Sequence, residues 1–149
     1  MTQEEILQLL CTTCPHNHAP ADAATWLMEA CVANSVNKHL GTDYEPSSNC
    51  REQGVDLISR SGLHAPVQVK TAKGDRQDGK AKRKTIVSKA LTGAHKYGHK
   101  KALLATARFV GGKLDKLVVD DVKKLRDLNR GGFSFKQLRE WGFEELVLD

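Results

Sequence analysis

The sequence predicts an α/β (α+β) fold, a mixed central sheet flanked by helices. Three observations predict it. Apolar residues recur at helical spacing in two long stretches, about Ala23–Leu40 and Lys82–Tyr97. Short runs of strand character lie between and after them: Gly54–Arg60, Pro66–Ala72, Lys101–Ala107 and Leu114–Val119. The chain has 149 residues, 40% of them hydrophobic, enough for one core and cramped for two. Helices that alternate with strands in one small core pack on the faces of a sheet.

Thr2 is placed to cap a short helix over Gln3–Leu10, with Ile6, Leu9 and Leu10 on one face. Cys11–Pro20 interrupts it. Asp22 then caps the helix that Gly41 ends, with Trp26, Ala33, Val36 and Leu40 as its apolar stripe. Leu27, Ala30 and Cys31 widen that stripe. Asp43–Ser47 is a weak strand. The runs GVDLISR and PVQVKTA, separated by Ser61-Gly62, read as an antiparallel hairpin. Lys73–Lys80 is polar with two glycines and reads as a loop. Ile86, Val87, Ala90, Leu91, Ala94 and Tyr97 form one face of the next helix, with lysines opposite. Two strands follow, the second after a Gly111-Gly112 turn. The spacing of Val119, Val122 and Leu125 predicts a helix to about Leu128, and Ser134 caps a last short helix with Phe135, Leu138 and Trp141 inward. No repeat divides the chain. It reads as one domain, with an extension over about 1–20, a core over about 21–110, and a C-terminal strand and helices over 111–149.

No apolar run approaches the roughly 18 residues of a membrane span. The polar, acidic start Met1-Thr2-Gln3-Glu4-Glu5 does not fit a secretory signal. The expected location is cytoplasmic, with no membrane partner. There, Cys11, Cys14, Cys31 and Cys50 read as thiols or metal ligands. Charge is unevenly spread: residues 1–69 balance to −5, residues 70–101 to +9 and residues 102–149 to +1. A block of +9 points to a polyanion partner, nucleic acid being the commonest, with a solvated lysine-rich face as the alternative.

The hairpin carries the chemistry. Asp56 stands between Val55 and Leu57, and Gln68 and Lys70 alternate with Val67 and Val69. Strand alternation puts Gln68 and Lys70 on one face, and a hairpin can bring Asp56 to them. A hard ion such as Mg²⁺ or Mn²⁺ takes oxygen ligands. Asp56 offers a carboxylate, Gln68 an amide oxygen and Val69 a backbone carbonyl. Lys70 can orient water or stabilise charge on a phosphate, so the set suits metal-assisted phosphodiester hydrolysis. The same residues also suit an Asp–Lys ion pair bracing a hairpin.

Asp56, followed twelve positions later by Gln68-Val69-Lys70, resembles the PD-(D/E)xK nuclease superfamily. Gly54-Val55-Asp56-Leu57-Ile58 with Val67-Gln68-Val69-Lys70 is most similar to its Mrr-like restriction endonuclease branch, in which Gln stands for the usual acidic residue. The branch continues with a helix and a strand ending in Thr, matched here by Ala90–Tyr97 and Lys101–Thr106. The likeness covers roughly Ala23 to Phe109. The literal Pro-Asp is absent, since Val55 precedes Asp56.

The resemblance implies a restriction-endonuclease-like core of order α-β-β-β-α-β and a Mg²⁺- or Mn²⁺-dependent endodeoxyribonuclease. Asp56, Gln68, Lys70 and Glu29 would be the catalytic set, with Asp56, Gln68 and the Val69 carbonyl as metal ligands. Glu29 matches the acidic position on the preceding helix, with Glu45 and Glu52 as competitors. Lys73, Arg76, Lys80, Lys82, Arg83 and Lys84 follow the active strand and would hold DNA phosphates. They oppose the helix dipole, so they are not there for helix stability. Cutting both strands implies a homodimer. Junction-resolving and repair roles stay open, as does a non-catalytic nucleic-acid-binding protein of the same fold. Separately, Cys11, Cys14, His16 and His18 carry zinc-ligand chemistry, but at tighter spacing than usual sites.

Overall fold

Pro20 opens the first helix, a position where its missing N–H costs nothing. In this computed structural model the described residues are 20–47, 55–73, 76–77, 83–125 and 134–148. Helix α1 spans Pro20–Leu40, so Asp22 lies within it rather than capping it. Its buried stripe is Leu27, Val32, Ala33 and Val36, while Leu40 is 42% exposed. Strands β1 (Tyr44–Pro46), β2 (Leu57–Ser59) and β3 (Val67–Lys73) follow. The second strand is shorter than expected: Val55 and Asp56 precede it.

Part of the expected loop at 73–80 is strand. β3 runs to Lys73 and pairs with β4 (Arg76–Gln77), Lys73 facing Arg76. Helix α2 (Arg83–Lys96) ends in a paired Schellman geometry. Gly98 takes φ +78°, its N–H bonds His95 O, and the His99 N–H bonds Ala94 O. Strands β5 (Leu103–Val110) and β6 (Lys113–Asp121) are joined by Gly111 and Gly112, both at positive φ as a tight hairpin requires.

The expected helix from Val119 to Leu128 is corrected. β6 continues to Asp121, and Val122–Leu125 is a single 3-10 turn, with residues 126–128 outside the described set. Val119, Val122 and Leu125 are all buried, but Val119 packs on one face of the sheet and the other two on the opposite face. Helix α3 (Phe135–Glu140) begins at a reciprocal Ser134–Gln137 capping box, and β7 (Glu144–Leu146) adds a strand absent from the sequence reading.

The sheet order is β1-β2-β3-β5-β6-β7, with β4 on β3. Only β3 and β5 are parallel, joined by the α2 crossover; the other pairs are antiparallel. One face packs Val67, Ala105, Ala107, Leu117 and Val119 on α1. The other packs Leu104 and Val118 on α2, the 3-10 turn and α3. The fold is therefore a mixed sheet flanked by helices. Among the described residues no helix is long and apolar enough to cross a membrane.

Candidate active site

The site forms where β2 and β3 part. Leu57 pairs with Val67. One residue back, the Asp56 N–H bonds Val67 O at 2.9 Å and Asp56 O accepts from the Ser47 N–H at 2.8 Å. The Asp56 backbone is thus pinned from both sides. Among the described residues, the next ladder position on β3 has no backbone partner from β2. There the Asp56 carboxylate itself accepts the Val69 N–H at 2.8 Å. In an antiparallel pair one residue's N–H and C=O point to the same neighbour. The Val69 carbonyl therefore faces the same gap as the Asp56 carboxylate.

Glu29 reaches Asp56 from α1, and the two side chains share a hydrogen bond. Burial first, then the Asp56 charge and that hydrogen bond, push the Glu29 carboxyl up to about 8. Burial also raises Asp56, against the lowering effects of the Val69 N–H, the Lys70 ammonium and the Glu29 hydrogen bond. Each carboxyl is thus pushed toward its protonated form by burial, and Glu29 also by the Asp56 charge beside it. Trp26, one turn earlier on α1, donates to Ser47 O at 3.4 Å beside the strand that pins Asp56.

Gln68 and Lys70 project from the opposite side, since Val67, which alternates with them, packs in the α1-facing core. Gln68 is 9% exposed, and its Oε1 is buried without a hydrogen-bond partner. Its Nε2 lies 3.5 Å from Val69 O, a weak contact. Lys70 is close enough for its charge to act on Asp56. Glu29, Asp56, the Val69 carbonyl, Gln68 and Lys70 are thus brought to one gap in the sheet. Among the described residues no three His, Cys, Asp or Glu side chains gather. The donors at the gap are two carboxyls, an amide oxygen and a carbonyl. That all-oxygen set suits a hard divalent cation and not a thiolate-seeking one. The orphaned Gln68 oxygen is the specific fit: a cation would supply its missing partner.

Glu45, a competitor for the acidic role, instead pairs with Arg60 on the exposed edge at 3.2 Å. Glu52 lies outside the described residues, as do Lys80, Lys82 and the segment with Cys11, Cys14, His16 and His18. Lys73 and Arg76 are paired in register between β3 and β4, and Arg83 and Lys84 open α2. The basic positions that are described thus lie along the chain just beyond Lys70. Sequence reasoning met Thr106 only as the end of a strand pattern. It is 2% exposed with its hydroxyl unpartnered, and it pairs in register with Lys70. The available signal was a lone hydroxyl in the apolar run KALLATA. No protein-family model matches the chain, and no curated protein matches it.

Proposed function

We propose that this chain is a metal-dependent endodeoxyribonuclease with a restriction-endonuclease-like core, as the PD-(D/E)xK resemblance implies. One observation carries the reading: the Asp56 carboxylate on the Val69 N–H, the orphaned Gln68 amide oxygen and Lys70 meet at one gap in the sheet, with the half-buried Glu29 carboxyl beside Asp56. Two half-buried carboxyls held together repel when both are ionised, and a cation between them removes that cost. Asp56, Glu29, Gln68 Oε1 and the Val69 carbonyl would hold Mg²⁺ or Mn²⁺. Such an ion, when bound, polarises a phosphate and makes water a stronger nucleophile.

The protein's own groups do the rest. Asp56 is fixed by three backbone contacts and keeps its carboxylate at the strand gap. Glu29 gives up its proton when the pair takes a cation. Lys70 orients the attacking water and stabilises charge that develops on the phosphate. Lys73, Arg76, Lys80, Lys82, Arg83 and Lys84 hold the flanking phosphates, and binding weakens steeply with salt. Cutting both strands of a duplex takes two copies of the site, hence a homodimer. The uncharged Gln68 favours one second reading, a nucleic-acid-binding protein with a silent site.

The test is cleavage of supercoiled plasmid with Mg²⁺, with Mn²⁺ and with EDTA, beside Lys70→Ala. Nicking or linearisation that needs both metal and Lys70 supports the nuclease. Retarded plasmid without cleavage, released at high salt, supports the binding protein instead.

A further inference from the structure

A buried hydroxyl without a partner is rare enough to need a reason. Thr106 has two. Valine would fill the same space and prefers strands as strongly, so packing does not call for the oxygen. Nor does the fold: Oγ1 meets no backbone or side-chain partner, though it is 2% exposed. Its neighbours show where it points. Thr106 lies opposite Lys70 in the parallel β3–β5 ladder, and Gln68 lies opposite Leu104. Residues paired in register project from the same face, so Lys70 and Thr106 stand side by side about 5 Å apart. Gln68, with the other orphaned buried oxygen, is the diagonal neighbour on that face. Ile86, Val87 and Ala90 of α2 belong to the apolar core packed on this face. Polar contacts in such a setting are strengthened.

We propose that Thr106 is a further catalytic residue, its hydroxyl and the Lys70 ammonium together holding the water that attacks the phosphodiester. This rests on the hydrolytic reading above. A hydroxyl both donates and accepts, so it can accept a water proton while Lys70 donates to the same oxygen. That aims the remaining lone pair at phosphorus. The water oxygen forms the new P–O bond as the P–O3′ bond breaks. The water's proton leaves to solvent, and the departing 3′ oxygen takes one from solvent.

The test compares Thr106→Val and Thr106→Ser with wild type in single-turnover cleavage of supercoiled plasmid with Mg²⁺, alongside thermal melts. Thr106→Val should lower the maximal rate roughly 10- to 100-fold. The half-saturating plasmid concentration and the melting temperature should hold. Thr106→Ser should recover most of the rate. Wild-type rate in Thr106→Val overturns the proposal, provided Lys70→Ala is inactive. Loss in both variants with earlier melting makes Thr106 a packing residue and also overturns it. A wild type that never cleaves removes the hydrolytic reading, and this role with it.

Discussion

Helix α1 touches two polar clusters, and they are built on opposite terms. In its last turn, Asn37 Oδ1 accepts the Tyr44 N–H at 2.7 Å and the Thr42 hydroxyl at 2.8 Å, and its Nδ2 donates to Tyr44 O at 2.9 Å. The Tyr44 hydroxyl closes the corner by donating to Ala65 O at 2.6 Å. Donors meet acceptors, and the result ties α1 to β1 and to the turn before β3. Two turns earlier, Glu29 meets Asp56 in a gap with an orphaned amide oxygen and, on the neighbouring strand, an orphaned hydroxyl. The first cluster stabilises the fold. The second leaves polar atoms unmatched, the pattern that the proposed nuclease site would show. Hydrogen-bond closure thus distinguishes the Asn37 corner from the proposed site more sharply than burial does.

Mutations sharpen the contrast. The largest effect on stability is expected at the closed corner. Asn37→Leu loses three hydrogen bonds and should cost about 2–3 kcal/mol in urea unfolding. A loss below about 0.5 kcal/mol would remove the distinction. Glu29→Gln should act in the opposite direction. The folded carboxyl near 8 lies above its ordinary 4.5, so the folded chain holds this proton more tightly than the unfolded chain. The protonated contribution is complete below about 4.5 and is lost as pH rises through about 8. Wild type should therefore lose stability between those values. Glu29→Gln should flatten that slope and gain more than about 1 kcal/mol above pH 8. Unfolding midpoints across that pH range check both. The Ser134–Gln137 capping box is a second closed cluster. Ser134→Ala should cost about 1 kcal/mol by the same urea measurement. Smallest of all, Thr106→Val removes an oxygen with no partner and should leave the urea midpoint at or slightly above wild type.

The sequence made some of this legible and hid the rest for physical reasons. α2 follows from Ile86, Val87, Ala90 and Ala94, whose spacing matches their burial. The alternation of Val67 and Val69 with Gln68 and Lys70 is readable because strand period is fixed. Glu29 sits on α1 beside Asp56, at the helix position that the resemblance implies. The spacing of Val119, Val122 and Leu125 misleads, because a strand end followed by a 3-10 turn also buries all three, on two faces. β7 is hidden because Glu144 and Glu145 are exposed and its pairing to β6 is set by tertiary contact. The orphaned oxygens are beyond any sequence pattern, since they depend on which partners fail to arrive.

The most direct test joins cleavage and stability in one variant. Asp56→Asn keeps an oxygen for the Val69 N–H and removes the charge. Plasmid cleavage and the urea midpoint would be measured on the same preparation. The nuclease reading predicts at least about a 100-fold loss of cleavage, with the midpoint unchanged or raised. A lowered midpoint with cleavage intact would mean that the carboxyl pair serves the fold, and would contradict the account.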